Sequence, residues 1–523
     1  MDSKLLNQLG EWNPQLYREL KGKLKLRNLF IIVGASLITQ FLLLAVAYEQ
    51  HLHAYNYQSG IEWEFIFRPL NWMLPFLLLV CGVYQLSQDL AQEERKGTLN
   101  FIRLSPQSSQ SVLIGKILGV PALLYLGIAL TIPLHIFSAL AAGVPLPWLL
   151  GIYTLWGAGC FLFYSSAFFY TLLWNTQGDS KSIAGLGGLL AFFLASPYIS
   201  VIDFSFKLYS SHSGLGNWQW FFLPLGNQAI PAYTWVMITL SVASYWIWQA
   251  VNRRFRNPNA TLLSKTQSYW LVACFQLWLL GFAVVELNSL PLDVHLFVGL
   301  FFVFFLNPIW FLILIKALSP RRQALLDWAR YRRYNSSSNR KSFWHRPLIQ
   351  DLIWGEKSPA LVAVGLNLLI TSIVWVPWIL LLPEKVWNEG DLTTHKALFG
   401  LLLTINLILL YGAINQLMLF LKTSKPDLWT TGIIVTLIIL PFFLGGILGI
   451  EPLEMPFFLM FSPFPVLALV NGSITTVFLG LLAQLGVVGF LSLQLTKKLQ
   501  KAGETESKAL FSGNRSLSAS SLK

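Results

Sequence analysis

Long apolar runs alternate with short polar segments along most of the chain. About twelve of these runs approach the roughly 20 apolar residues that a helix needs to cross the hydrocarbon core of a membrane. They lie at 28–48, 69–88, 117–141, 147–174, 183–202, 232–252, 270–287, 296–316, 359–383, 397–420, 429–450 and 474–494. The pattern predicts an all-α polytopic membrane protein with about twelve transmembrane helices, which could form two degenerate six-helix halves.

The composition agrees with this pattern. Of the 523 residues, 55% are hydrophobic and only 12% are charged, and the mean hydropathy is +0.57. A soluble domain could not bury so much apolar surface. The composition therefore argues against a water-soluble protein.

The basic residues are divided unequally between the two sides of the predicted membrane. With the N-terminus inside, every Lys and Arg falls on the inner face except Arg68, Lys207, Lys385 and Lys396. This asymmetry follows the positive-inside rule and explains the net charge of +13 without nucleic acid. We predict a multi-pass protein of a bacterial inner (plasma) membrane, in contact with membrane lipids, with both termini cytoplasmic.

A polar and basic segment, EERKGTLNFIRLSPQSSQSVLIGK at 93–116, separates the second and third apolar runs. Each of its charges would cost roughly 2.5–3.5 kcal/mol in hydrocarbon, so the segment must lie at one membrane face. Between Gly97 and Pro106, Leu99, Ile102 and Leu104 have near-helical spacing. This predicts a short amphipathic helix along the surface, suited to contact a partner.

Four short patterns follow one another in the 93–116 loop: an acidic pair, Gly-Thr-Leu, Ser-Pro and Gly-Lys. The residues are Glu93, Glu94, Gly97, Thr98, Leu99, Ser105, Pro106, Gly115 and Lys116. In this order they resemble the loop after the second span in permeases of the type-2 ATP-binding-cassette exporter family. The resemblance implies a coupling helix seated in a groove of a separate ATPase subunit, with Arg95 and Arg103 as further candidate contacts. An ordinary loop whose charges only fix topology is the alternative.

The polar segments predict four regions in the chain. They are an interfacial amphipathic helix at 1–27, a first six-helix domain at 28–260, a second six-helix domain at 261–496 with a basic cytoplasmic loop at 317–357, and a disordered tail at 497–523. The second domain resembles a weak copy of the first. Its counterpart of the 93–116 loop is only LKTSKPDLW at 421–429, without the acidic pair, Gly-Thr or Gly-Lys, which puts two equal docking sites in doubt.

The sequence carries no recognisable catalytic motif. It lacks GxxxxGK[ST], HExxH and GxSxG, and Cys81, Cys160 and Cys274 lie in apolar runs without a metal-ligand spacing. His135, inside a predicted span, is better explained by an interhelical hydrogen bond than by a proton relay. We predict no catalytic, cofactor-binding or metal-binding residue and no enzyme activity in this chain, so that a partner hydrolyses ATP.

The loop and the spans together favour the permease subunit of an ATP-binding-cassette transporter, an exporter energised by a separate ATPase subunit. A homodimer or heterodimer of such chains would be compatible with the sequence. The alternative is a non-transporting integral membrane scaffold or assembly factor, because Trp-rich helices without charged residues in the spans would also suit that role.

Overall fold

The structure is a computed structural model that describes residues 10–53, 62–174, 179–211, 219–226, 228–284, 299–334, 347–383, 393–421, 426–449, 456–462, 465, 468–469 and 472–502. These residues are mainly helical and include no β-strand, only an isolated bridge between Trp220 and Leu223. The prediction of an all-α polytopic membrane protein is confirmed.

Ten helices within the described ranges are long and apolar enough to cross a membrane. They are Leu26–Glu49, Glu64–Arg95, Ala122–Ala141, Leu146–Leu173, Ser180–Ser200, Ala229–Arg256, Gly299–Leu318, Leu361–Leu381, Thr394–Met418 and Thr475–Ala502. The predicted spans at 270–287 and 429–450 fall on helices outside this set. Within the predicted span at 429–450, the segment Trp429–Leu440 is apolar but shorter than a candidate membrane span. The count of about twelve stays a prediction.

The chain divides into two compact units, Met1–Gly216 with Leu225–Pro258, and Asn217–Pro224 with Asn259–Lys523. The described helices of the first unit are α1 (Pro14–Lys23), α2 (Leu26–His53), α3 (Glu64–Arg95), α4 (Thr98–Leu104), α5 (Ser109–Gly119), α6 (Ala122–Ala141), α7 (Leu146–Trp174), α8 (Ser180–Ser211) and α9 (Ala229–Arg256). The predicted interfacial helix at 1–27 is thus represented by α1, and residues 1–9 lie outside the described chain.

Helix α3 is the central helix of the first unit and packs against α6, α7 and α8. Ile66, Leu70, Leu74 and Leu78 are buried at every fourth residue, which places them on one face of the helix. In the middle of α3, Tyr164 of α7 donates a hydrogen bond of 2.8 Å to the carbonyl oxygen of Leu78. The 93–116 loop therefore begins at the end of the most buried helix of this unit.

The second unit contains the remaining described helices. They are α10 (Lys265–Ala283), a π-helical turn (Phe302–Leu306) that leads into α11 (Asn307–Leu318), α12 (Arg322–Tyr334), α13 (Pro347–Trp354), α14 (Leu361–Leu381), α15 (Thr394–Met418), α16 (Pro426–Leu448), α17 (Pro456–Leu459) and α18 (Ile474–Ala502). Residues 497–502, predicted to begin a disordered tail, continue α18, because Lys, Leu, Gln and Ala all favour helix. Residues 503–523 lie outside the described chain.

Polar side chains join the helices inside the second unit. The indole of Trp375 on α14 donates to Gln276 of α10 at 2.7 Å, and the Gln276 amide donates to Asn307 at 2.7 Å. Asn367 of α14 donates to Ser268 of α10 at 3.0 Å. Such bonds satisfy polar groups where no water reaches and fix how neighbouring helices meet.

Candidate functional site

The 93–116 loop begins with a sharp turn at Gly97. Its φ of 74° is left-handed, a conformation that glycine adopts at no steric cost, and it ends α3 and starts α4 in a new direction. The Thr98 hydroxyl donates back to the carbonyl oxygen of Glu93 at 3.1 Å. At the other end, the Ser105 hydroxyl donates to the carbonyl oxygen of Ile102 at 2.7 Å, and Pro106 is exposed. The predicted short helix is confirmed as α4.

The two faces of α4 differ in exposure. Leu99 is fully buried against the first unit, whereas Phe101 is 77% and Leu104 is 84% exposed. Two large apolar side chains, one turn apart, therefore project from a short, well-supported helix. Apolar groups in this arrangement mark either an interface with lipid or a contact surface for another protein.

Lys116, at the far end of the loop, has no exposed surface. Its Nζ lies 2.5 Å from Asp89 and 2.7 Å from Glu93, both on α3, and 3.9 Å from Glu19 on α1. Burial on its own lowers the pKa of Lys116, but the attraction of Asp89 and Glu93 outweighs burial and holds the pKa above its ordinary value. We call Glu19, Asp89, Glu93 and Lys116 the charge cluster.

Arg18 adds a second positive charge at the edge of the charge cluster. It forms an ion pair with Glu93 and lies 3.2 Å from Glu19. Carboxylate oxygens of Glu19, Asp89 and Glu93 come within 4.8 Å of one another, close enough to surround a cation. The Lys116 ammonium lies among them, so the chain supplies its own cation there.

Helix α1 packs against α5 where glycines replace side chains. An added Cβ at Gly119 would lie 2.5 Å from the Cβ of Glu19, and one at Gly115 would lie 2.7 Å from Oδ1 of Asn13. The same Asn13 donates to the carbonyl oxygen of Ser111 at 2.8 Å and caps α1. The glycines thus allow α1 to approach closely enough for Glu19 to reach the charge cluster.

Replacing Gly119 with Ala is expected to force α1 away from α5 and to destabilise their packing by about 1–3 kcal/mol, as in other overpacked interiors. Gly22→Ala is the matched control, since Gly22 lies in α1 and nothing lies within 4 Å of an added Cβ. Thermal melting in detergent should show a lower melting temperature for the first variant only. Equal melting of the two variants would contradict the close packing.

The other predicted loop residues do not join the charge cluster. Arg95 is exposed and pairs with Asp179 before α8 at 2.7 Å. The guanidinium carbon of Arg103 lies 5.5 Å from the ring centre of Phe255, the last buried aromatic residue of α9. Glu94 is half-buried and has interactions of its own. The loop is thus attached to α1, α8 and α9 as well as to α3.

Sequence reasoning identified Glu93 and Lys116 but missed Glu19, Asp89 and Arg18. Asp89 and Glu93 are one helical turn apart, which was a local signal for a shared face. No comparable signal linked Glu19 to them, because only the packing of α1 on α5 brings it there. Leu99 and Lys116 were predicted as ATPase contacts, but both are buried, so they hold the loop in place and offer no surface to a partner.

A small cavity lies beside α4. It has a volume of about 250 Å³ and is lined by Ile102, Arg103, Gln107, Ser108, Ser109, Val112, Phe255 and Arg256. No protein-family model, curated protein or solved structure matches the chain.

The second unit has a buried lysine of its own at the start of a helix. Lys265, the first residue of α10, donates to the carbonyl oxygen of Leu352 at 2.6 Å, to the Ser358 hydroxyl at 2.6 Å and to the carbonyl oxygen of Pro359 at 3.1 Å. Burial lowers its pKa to about 8. Neutral acceptors here replace the carboxylates that surround Lys116.

The lowered pKa of Lys265 makes stability dependent on pH. Between pH 8 and 10.5, its ordinary pKa, the unfolded chain binds the proton more often than the folded chain, so stability rises with pH by up to about 3 kcal/mol. Lys265→Met should lack this rise. Melting curves from pH 7.5 to 10 test it, and identical pH slopes for wild type and variant would contradict it.

Proposed function

We propose that the chain is the membrane-spanning permease subunit of an ATP-binding-cassette exporter, and that a separate ATPase subunit drives it through α4. The observation that carries this proposal is the attachment of α4. A short helix with exposed Phe101 and Leu104 follows the central helix α3 directly and is supported by a buried charge cluster. A partner that moves α4 would therefore move α3 with it.

The charge cluster supports a mechanical role for the loop. Helix α3 contains 32 residues and is about 48 Å long at 1.5 Å per residue, enough to cross a bilayer. Glu93 and Asp89 on α3 bind Lys116 on α5, and Glu19 adds α1. A displacement at the loop would pass to three helices through buried ionic contacts, which salt screens much less than exposed ones.

The topology supports a cytosolic partner. In this proposal the 93–116 loop lies on the cytoplasmic face of a bacterial inner membrane, and the excess of Lys and Arg on the predicted inner face supports this orientation. Soluble ATPase subunits lie on that face. The cargo would pass among aromatic and small side chains without fixed charge, which suits an apolar or amphipathic compound.

The test uses the left-handed turn at Gly97. In Gly97→Val, the β-branched side chain disfavours the left-handed conformation, so α4 should leave its position while the buried part of α3 stays folded. We expect at least tenfold weaker association with a co-expressed ATP-binding-cassette ATPase from the same genome, roughly the effect of 1.4 kcal/mol, and loss of its stimulation.

Gly143→Val is the matched control for this experiment. Gly143 also has a positive φ, of 79°, with nothing within 4 Å of an added Cβ, but it lies between α6 and α7 on the predicted opposite face. This variant should associate like wild type. If Gly97→Val also retained full association and stimulation, the result would contradict docking at this loop and favour a membrane scaffold.

A further inference from the structure

The cavity beside α4 is basic. Its eight lining residues, all within the described chain, include Arg103 and Arg256 and no carboxylate. Ile102, Val112 and Phe255 form an apolar wall, and Gln107 with two serine hydroxyls provides neutral polar groups. We call this site the basic cavity. Its chemistry suits a small anionic group carried on an apolar stem.

Arg103 is held in a fixed position at the basic cavity. Its Nη1 donates to Oδ1 of Asn100 at 3.1 Å, and its guanidinium lies over the Phe255 ring. Arg256 is exposed in the last turn of α9, which also contains Arg253 and Arg254. Arg103 is thus preorganised at the wall of the basic cavity, while Arg256 is open to solvent. This arrangement favours binding of a ligand that enters from the solvent.

The depth of α4 favours a soluble partner over a phospholipid at the Arg103 end of the basic cavity. Helix α3 continues for seven residues beyond its predicted span end at 88, which is about 10 Å at 1.5 Å per residue. The headgroup layer on each side of the hydrocarbon is only about 5–8 Å thick. Because α4 follows the end of α3, the exposed side chains of α4 and the Arg103 end of the basic cavity lie at or beyond the outer edge of the lipid phosphates in the predicted topology.

We propose that the basic cavity receives an acidic side chain, Asp or Glu, of the ATPase subunit that docks on α4. This inference rests on the proposed function and adds the partner chemistry to it. Phe101 and Leu104 supply the apolar part of the contact, and Arg103 with Arg256 supplies its charge complement. Arg is well suited to this role because its planar guanidinium can bind a carboxylate with two hydrogen bonds.

Charge reversal tests the electrostatic part of the proposal. Arg103→Glu combined with Arg256→Glu should weaken association with the co-expressed ATPase by about 30-fold or more, since like charges would then face each other. Wild-type association should weaken between 50 and 500 mM NaCl, and the variant should lose this salt dependence. If the double variant does not fold, Arg256→Glu alone carries the test, because Arg256 is exposed.

Zero-length cross-linking tests the contact itself. Arg103→Lys and Arg256→Lys keep the charge and provide amines that a carbodiimide joins to a carboxylate in direct contact, with loss of water. We expect the new lysines to form amide bonds to an Asp or Glu of the ATPase, located by mass spectrometry. Arg68→Lys, on the predicted outer face, is the control and should form none with the ATPase.

The outcomes separate this inference from the proposed function. If charge reversal leaves association unchanged and the new lysines form no cross-link, while Gly97→Val still weakens association tenfold or more, the ATPase docks on α4 without using the basic cavity, and the inference fails alone. If neither change affects association, both proposals fail. Cross-links at positions 103 and 256 to an acidic ATPase residue support the inference, whereas affinity for phosphatidylglycerol vesicles that is lost on charge reversal, without such cross-links, would overturn it in favour of lipid.

Discussion

Lys116→Met is expected to destabilise the protein by about 3–5 kcal/mol, the cost of leaving buried charges without their partner. Asp89 and Glu93 lie 2.5 and 2.7 Å from the Lys116 ammonium, and Glu19 lies nearby. Without the ammonium these carboxylates repel one another, and Arg18 and Lys23 at the edge of the cluster compensate them only in part. Thermal melting in detergent should show a large decrease in melting temperature and easier proteolysis of α1.

Two comparisons make the Lys116 prediction specific. Lys96→Met removes an exposed lysine of the same loop and should change the free energy of unfolding little. Adding Asp89→Asn and Glu93→Gln to Lys116→Met should recover much of the lost stability, because neutral groups no longer repel. If Lys116→Met melted like wild type, the buried charge cluster would be contradicted.

Phe101→Ala combined with Leu104→Ala is expected to weaken association with the ATPase about 30- to 100-fold. This decrease corresponds to about 2–2.8 kcal/mol for the pair, since 1.4 kcal/mol is a factor of ten, and a loss of about 1–1.4 kcal/mol per truncated side chain is in the range of contacts near the centre of an interface. Both side chains are more than three-quarters exposed, so the fold should be unaffected. Affinity of the purified complex and its ATPase rate measure the effect.

Phe222→Ala with Leu381→Ala is the matched control for the α4 pair. Phe222 is 85% and Leu381 is 81% exposed, close to the exposures of Phe101 and Leu104. Phe222 lies on the predicted outer face and Leu381 lies at the outer end of the predicted span 359–383, so no cytosolic protein reaches either residue. Equal ATPase affinity of the two double variants would show that α4 is not the contact surface.

The sequence predicted those features of the fold that are encoded locally. Apolar runs of helical length predicted the spans, and Gly97 with Pro106 predicted the ends of α4. Both depend on neighbouring residues: a left-handed glycine redirects the chain, and proline cannot continue a helix. The helical continuation of α18 to Ala502 was missed because its Lys- and Gln-containing end resembles the polar tail that follows.

The charge cluster could not be predicted because it depends on tertiary packing. Glu19, Asp89 and Lys116 are far apart in sequence, and only the close approach of α1 to Gly115 and Gly119 brings them together. Sequence reasoning placed Lys116 at a membrane face because an unpaired charge cannot enter hydrocarbon. The same reasoning could not show that the lysine is buried among three carboxylates, which changes its role from partner contact to internal support.

Site-specific photo-cross-linking at position 101 tests the central proposal most directly. A photo-reactive amino acid in place of Phe101, activated in intact cells, should form adducts with an ATPase subunit that carries a phosphate-binding loop, identified by mass spectrometry. The same amino acid in place of Phe222 should give no such adduct. Adducts at position 101 with lipid alone, or with a protein outside the membrane on the opposite side, would contradict a permease driven through α4.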